Sequence, residues 1–251
     1  MSSIQLALLS LVSVFGGAAL GIVLRAVLPQ THLSAETKDT VKLSMGLVAT
    51  MTALLLGLLV ASAKGSYDAQ KSQLIQMSAK LAFLDRVLAN CGPEASESRA
   101  MLRMSAERMI ARIWPDDKSR QAELAPSTSA GQAVYESIQK ISPQTDAQRA
   151  AKTQALQTTI AVGQMYWLLF QQAGTSISTP LLIVVVFWLA IIFLSFGLFT
   201  PRNGTAITAL LASALSVCVA IFLLLELDHP FSGLVGISSE PMRNALEHLG
   251  R

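Results

Sequence analysis

Side chains that could catalyse a reaction are few, and they are not spaced as a site. The three histidines, His32, His229 and His248, show no metal-ligand spacing with one another or with a cysteine. The sequence has no GxSxG or HExxH motif and no glycine-rich phosphate loop. The paired carboxylates Asp116 and Asp117 lie in a polar segment with nothing to dehydrate them. We therefore predict that the chain is not an enzyme and has no catalytic, cofactor-binding or metal-binding residues.

Basic side chains instead mark the ends of long apolar stretches. Arg25 closes the first stretch, and Lys42 and Lys64 enclose the second. Cationic groups in such places could attract anions at the two mouths of a pore. Alternatively, each is an interfacial anchor with its stem in lipid and its charge in water. The sequence leaves both interpretations open.

The stretch between Lys42 and Lys64 carries small residues at helical spacing. It has no formal charge and is long enough, at 1.5 Å per residue, to cross a hydrocarbon core of about 30 Å. The small residues that share one face and would let another helix approach closely are Gly46, Thr50, Ala53, Gly57 and Ala61.

Some of these positions are candidates to line a pore. Thr50 is the polar member of the small-residue face, with Gly57 two helical turns further along. If Met51, Leu54 or Leu58 faced an axis instead, the pore would have a hydrophobic constriction. The sequence alone does not fix the rotation of the helix.

The composition is that of an integral membrane protein. Hydrophobic residues make up 52% of the 251 residues and charged residues 14%, against roughly 25% charged in soluble domains. Mean hydropathy is +0.49. Four stretches are long enough to span a bilayer: residues 4–24, 43–63, 181–199 and 205–225. The first lacks a basic leader and a small-residue cleavage site, so we predict a retained span rather than a signal peptide.

Two glycines in the first stretch suggest close helix packing. Gly17 and Gly21 form a GxxxG pair on one face, which is typical of tight helix association within a chain or between chains. Glycine is also simply common in membrane helices, and the sequence does not distinguish these explanations.

A helical domain is predicted after Lys64. Residues of a heptad seam recur at steps of three and four: Tyr67, Gln70, Leu74, Met77, Leu81, Leu84 and Leu88. We interpret the seam as the core of an intramolecular bundle, with a coiled coil between subunits as the alternative. Gln70 either fixes the register or faces water. Asp85 and Arg86, beside the seam, are interpreted as a surface ion pair of little value.

Further helices are predicted at about residues 94–114, 132–141 and from residue 146 onward, with a flexible polar segment at 116–131. Arginines on the outer faces of the first of these helices could be solvated or meet anionic headgroups: Arg99, Arg103, Arg108 and Arg112. Ser239 is predicted to cap a short helix in the tail.

The predicted fold is an all-α membrane protein with four transmembrane helices and a soluble helical bundle inserted between the second and third spans. Its parts are residues 1–63 (spans one and two), 64–179 (soluble domain continuous with span two), 180–228 (spans three and four) and 229–251 (a tail with a short amphipathic helix). Four spans would place both termini and the soluble domain on one side of the membrane.

Charges near the spans do not decide which side this is. Basic residues are equally numerous on both sides, with Lys64, Lys71, Lys80 and Arg243 on one and Arg25, Lys38, Lys42 and Arg202 on the other. Glu226 and Asp228 end the fourth span, where they oppose the helix dipole. We therefore expect them to have partners, with Lys64 and Arg243 as candidates.

Several segments together carry a resemblance. They are LRAVLPQTHLS, KDTVKLSMGLVATMTALLLGLLVASAKGSYDAQ, FLDRVLANCGPEA, FWLAIIFLSFGLFTPRN and LELDHPFSGLVGISSEPMRNALEHLG. The chain resembles, over essentially its whole length, the bestrophin-like domain family of bacterial integral membrane proteins. A more distant similarity links that family to bestrophins, which are pentameric anion channels whose second span lines the pore and whose helical domain is cytosolic.

The sequence departs from bestrophins at three points, one of which is the second span, where their pore neck has large apolar side chains and the face described here has Gly, Ala and Thr. Their Asn-Pro-Phe-Gly motif after the fourth span corresponds here to His229-Pro230-Phe231-Ser232-Gly233, without the Asn and with an inserted Ser. The acidic calcium clasp of animal bestrophins is absent, so calcium gating is not carried over.

The resemblance implies an oligomeric channel in the bacterial inner membrane, passing a small inorganic ion, most naturally an anion, with a pentamer by family analogy and the soluble domain in the cytoplasm. The alternative is a non-conducting membrane scaffold or sensor whose helical domain binds a partner. A net charge of +3 without a basic, aromatic-rich run gives nucleic-acid binding no support.

Overall fold

The computed structural model describes residues 3–29, 34–115, 128–172, 177–201, 203–231 and 235–250, and all regular structure in these ranges is helical. The predicted all-α class is therefore confirmed. The helices are α1 (Ser3–Val27), α2 (Ala35–Ala89), α3 (Ser96–Ile113), α4 (Thr128–Lys140), α5 (Asp146–Gln172), α6 (Thr179–Phe199), α7 (Gly204–Leu227) and α8 (Glu240–His248), with a 3₁₀ turn at Pro93–Ala95.

Some sequence predictions fall outside the described residues, namely those on His32, Asp116, Asp117, Arg202, Ser232 and Gly233. Most of the polar segment predicted to be a flexible loop also lies outside them. Its last residues are helical, because α4 begins at Thr128, earlier than the sequence suggested.

Four of the described helices are long and apolar enough to cross a membrane: Gln5–Val27, Ala35–Ala89, Thr179–Phe199 and Gly204–Leu227. They contain the four stretches read from the sequence, apart from Ile4 at the start of the first. Their length and composition make the chain a membrane protein.

Helix α2 is unusually long because nothing in its sequence interrupts it. It runs for 55 residues without a proline. The side chain of Ser34 accepts a hydrogen bond from the backbone N–H of Thr37 at 3.3 Å, which caps the first turn. The helix ends at Ala89, and three residues later Gly92 adopts a φ of +88°, a conformation that favours glycine, directly before Pro93.

The chain folds into two compact units. The first comprises Met1–Gly65 and Ser176–Asp228. In it, α1 packs along α6 and α7. The side chains that fill this apolar core include Val14, Val185, Leu189, Phe193, Ala214 and Ile221.

The second unit comprises Ser66–Thr175 and His229–Arg251. Its core contains the heptad seam of α2, with every seam residue from Gln70 to Leu88 buried. The interpretation as an intramolecular bundle is therefore confirmed. Gln70 does not face water: its Nε2 donates hydrogen bonds to the carbonyl oxygen of Gln172 at 3.1 Å and the hydroxyl of Ser66 at 3.2 Å.

The tail folds onto this second bundle through α8. Met242 and Leu249 are buried in its core, and the indole N–H of Trp114 donates to the carbonyl oxygen of Ile237 at 2.8 Å. The predicted cap is wrong in detail. Ser239 precedes α8, but its hydroxyl accepts from Arg243 rather than capping a backbone N–H, and the N–H of Glu240 instead bonds Ser238.

Candidate pore-forming helix

The apolar half of α2 buries one narrow face. Within the first unit, Thr52, Leu59 and Ala63 are buried, with Ala63 inaccessible to solvent. These positions follow steps of seven and four, so they lie on one side of the helix. Most of the remaining surface of this segment is exposed in the single chain.

The small-residue face is among the more open surfaces. Thr50, Ala53, Gly57 and Ala61 are exposed or partly exposed, as is Gly46. A Cβ atom built on Gly46 or Gly57 would have nothing within 4 Å, so neither glycine is in close contact with another helix of the same chain. The hydroxyl of Thr50 donates to the carbonyl oxygen of Gly46 at 2.9 Å, which satisfies it locally.

A second exposed stripe consists of large apolar side chains. Its members are Leu43, Leu47, Met51, Leu54 and Leu58, with exposed fractions from 50% for Met51 to 79% for Leu43. At 3.6 residues per turn the stripe lies roughly 80° around the helix from the small residues. The two stripes together form one continuous exposed half of α2, which we call the open half.

The glycines of α1 occupy a different environment. A Cβ atom on Gly17 would overlap the carbonyl oxygen of Ala190, and one on Gly21 would overlap that of Leu194. Both carbonyls belong to α6. The structure therefore places this pair in a close helix contact within one chain.

The basic residues at the helix ends differ in their partners. The guanidinium of Arg25, partly buried, donates to the carbonyl oxygen of Thr200 at the end of α6. Lys42 lies 3.8 Å from Asp39 one turn earlier, in an exposed pair that contributes little. Lys64 is exposed near the end of the apolar part of α2.

The two carboxylates that end α7 are both buried, with 5% of Glu226 and 7% of Asp228 exposed. An oxygen of Asp228 accepts a hydrogen bond from the backbone N–H of Ile177 at 3.2 Å. Arg243 is exposed on α8 and donates to Ser239. Ion pairing of the carboxylates with Lys64 or Arg243 stays a prediction.

Sequence reasoning missed the main ion pair of the second unit. Asp85 does not form a surface pair with Arg86, as predicted. It is buried and accepts two hydrogen bonds from Arg99, at 2.8 and 2.7 Å. The bond to Asp85 raises the pKa of Arg99, against a smaller opposite effect of burial. A further bond to Asp85, from the N–H of Gly250 at 3.2 Å, ties the tail to this pair.

No group of three or more His, Cys, Asp or Glu side chains within the described ranges could hold a metal ion. Cys91 and Cys218 are both buried free thiols. The chemistry available along the apolar part of α2 is thus that of an apolar surface with hydroxyl groups and with cations at its ends.

Comparison with known proteins agrees with this architecture. The family model of the Bestrophin-like domain matches residues 11–242 of the sequence, so the chain belongs to the Bestrophin-like family. A mutated form of a bacterial bestrophin homologue from Klebsiella pneumoniae has a similar structure, with a TM-score of 0.64, 15% identity and 99% of each chain covered. That likeness shows a shared fold. None of the curated proteins compared with the chain matched it.

Proposed function

We propose that the chain is one subunit of an oligomeric membrane channel in which α2 surrounds a central axis. The observation that carries this proposal is the open half of α2. Within the chain, 11% of the most apolar stretch of α2 is buried, against 22 to 39% for the other three apolar helices, and small residues at helical spacing favour close helix contact. A ring of identical subunits would turn the middle of this open half toward the axis and cover its two flanks with neighbouring subunits.

Helix geometry suggests which residues face the axis. The direction opposite to the buried residues Thr52, Leu59 and Ala63 passes between Thr50 and Leu54. Gly57 lies about 40° to one side. We infer that these three residues line the pore, with Thr50 as its hydroxyl and Leu54 as an apolar constriction.

The flanks of the open half would then form the contacts between subunits. On one flank, Gly46 and Ala53 allow close approach of a neighbouring helix, whereas Ala61 lies in the axis direction between Thr50 and Leu54. Met51 and Leu58 on the other flank supply bulk to fill the gap. This arrangement is heterologous and closes into a ring, with five subunits by analogy with bestrophins.

Charge favours anions as the transported ion. No carboxylate lies between Lys42 and Lys64, so this part of α2 offers no acidic ring of the kind that cation channels use. Arg25, Lys42 and Lys64 would raise the local anion concentration at the mouths. The four apolar helices would be spans of the bacterial inner membrane, with the inserted bundle in the cytoplasm and no enzymatic activity.

The deciding experiment is the oligomeric state of the detergent-purified protein, measured by mass photometry and by particle imaging with symmetry analysis. We expect a closed ring with α2 helices around the axis, followed by anion current from the reconstituted protein. A monomer, or a dimer without a central axis, would overturn the channel and favour a scaffold or sensor that acts through its helical bundle.

A further inference from the structure

The helical bundle of the second unit contains a cavity that the channel proposal does not use. It lies among α3, α4, α5 and the second half of α2, and its volume is about 350 Å³. That is within the range of pockets that hold small organic molecules. Its walls are largely apolar, and the accessible ones include Ile160 and Trp167, each close to half exposed.

Two cations line this cavity. Arg108 and Arg112 lie four residues apart on α3, so they project from the same face of the helix. Among the residues that the structure describes, neither guanidinium has a hydrogen-bond or ion-pair partner. The same helix shows the contrast, since Arg99 is paired with Asp85 and Arg103 with the tail.

The described side chains that line the cavity carry no negative charge. None of the described side chains that line it is a carboxylate, and its other polar members are neutral, such as Gln132 and Tyr135. A guanidinium beside an apolar wall binds a planar or tetrahedral anion through paired N–H donors. The positive charge of the cavity therefore favours a ligand with an anionic head group, and its apolar walls favour a ligand with an apolar body.

A glycine keeps the space open. Gly163 lines the cavity in the middle of α5, where a larger residue would favour the helix. A Cβ atom built there would have nothing within 4 Å, and the same holds for Gly131 on α4. Packing does not require glycine at either position, so a side chain at residue 163 could grow into the cavity without moving the backbone.

We propose that this cavity binds an amphipathic organic monoanion, with its carboxylate or similar head on Arg108 and Arg112 and a single apolar chain among α3, α4 and α5. The proposal does not depend on conduction by α2, since it concerns binding within the second unit alone. It can therefore fail while the channel stands, and the reverse is also true.

Binding is tested with the full chain in nanodiscs of zwitterionic lipid, with decanoate as the probe and decanol as its neutral counterpart. Trp167 serves as the fluorescence reporter, with Trp167→Phe as the blank, and calorimetry gives the affinity independently. We expect saturable binding of decanoate, about tenfold or more tighter than decanol once partition into empty nanodiscs is subtracted. Equal affinity for the two, or no saturable binding, would overturn the proposal.

Variants test separately the contribution of the two arginine charges and the contribution of the cavity volume to decanoate binding. Arg108→Gln with Arg112→Gln should weaken decanoate about tenfold or more and leave decanol unchanged, whereas Lys71→Gln with Lys140→Gln removes the same charge elsewhere and should change neither. Gly163→Leu should abolish binding with the fold intact by circular dichroism. Full binding in either cavity variant would refute the site.

One further experiment, a competition with two possible outcomes, identifies whether the ligand is a lipid chain or a free acid. Nanodiscs that contain anionic phospholipid should compete with decanoate if a lipid chain can enter the cavity, and should leave its affinity unchanged if only free acids enter. Both outcomes support an anion site and assign its ligand. If Gly163→Leu instead changed the oligomeric state without changing decanoate binding, the cavity would belong to a subunit contact and the proposal would be wrong.

Discussion

Gly197 of α6 lies directly against Ala18 of α1. A Cβ atom built on Gly197 would overlap the carbonyl oxygen of Ala18 and stand 3.1 Å from the backbone nitrogen of Ile22. Gly17 and Gly21 meet α6 in the same way from the other side of the contact. The two helices therefore touch through backbone at three glycines, and the contact has no room for a methyl group.

We predict that Gly197→Ala and Gly21→Ala destabilise the protein by about 1 to 3 kcal/mol each, because the added methyl must push rigid backbone apart. Thermal unfolding of the detergent-solubilised protein measures the effect. Gly16→Ala is the matched control, since a Cβ atom there has open space. A midpoint equal to wild type in Gly197→Ala would show that the helices are not in this close contact.

Asp85 should be sensitive to substitution because it is buried and accepts bonds from Arg99 and Gly250. Asp85→Ala removes the carboxylate that accepts two hydrogen bonds from the partly buried guanidinium of Arg99, and loss of such charge-assisted bonds costs about 1.5 to 3 kcal/mol. Chemical denaturation monitored by circular dichroism measures this. Asp146→Asn breaks the exposed pair with Arg149 and should change stability little. Equal effects of the two variants would contradict the geometry.

The carboxylate of Asp228 should matter as a hydrogen-bond acceptor. Asp228→Ala would leave the buried N–H of Ile177 unsatisfied, at a cost of about 1 to 3 kcal/mol, whereas Asp228→Asn retains an acceptor oxygen. Thermal unfolding should therefore rank the wild type and Asp228→Asn above Asp228→Ala.

Glu226→Gln is expected to lower thermal stability or alter assembly if Glu226 is ion-paired. A protein unchanged by this substitution would rule out that pairing.

The pore-lining residues can be tested by chemical modification. We predict that a charged, membrane-impermeant methanethiosulfonate alters current through Thr50→Cys and Leu54→Cys, because these positions would face the aqueous axis. Thr52→Cys is the control, since Thr52 is buried toward the other helices of its own chain. Modification of position 52 alone would contradict the assigned rotation of α2.

Thr50→Val should change the conductance of the channel if the hydroxyl of Thr50 lines the aqueous pore.

Cys91 should be chemically silent in the folded protein. Burial raises the pKa of its thiol, and the cationic Lys152 opposes this more weakly. The raised pKa contributes stability below the ordinary thiol pKa of about 8.5, and this contribution is lost as pH rises through the higher folded value. In a Cys218→Ala background, Ellman's reagent at pH 8 should label Cys91 far more slowly than a thiol introduced at exposed Ser72. Similar rates would contradict its burial.

Apolar periodicity predicted the helices well, because burial determines both the apolar pattern in the sequence and the face of each helix that packs in the core. The seam from Gln70 to Leu88 could be read directly, since each residue falls at a step of three or four and each is buried. The stop at Gly92 and Pro93 was equally legible from residue type. These features are local, so the sequence contains all the information that fixes them.

Pairings between distant residues could not be read in the same way. Asp85 has Arg86 as its neighbour in sequence, but α3 returns Arg99 to within 2.7 Å, and no local pattern encodes that distance. The open half of α2 was equally hidden, because small residues favour contact without specifying the contacting helix. The cavity beside Arg108 and Arg112 depends on the spacing of several helices, which no single stretch defines.

The link between Asp85 and Gly250 has a consequence for biosynthesis. The two residues are separated by 165 positions in sequence, and Leu249 beside Gly250 is fully buried in the same core. During translation, the bundle of residues 66–175 therefore remains incomplete, without α8, until the ribosome has synthesised α6 and α7. A contact of such long range is slow to form. The half-built bundle would then expose the sites of Met242 and Leu249, so a chain stalled in this interval should be the species that chaperones hold and proteases remove.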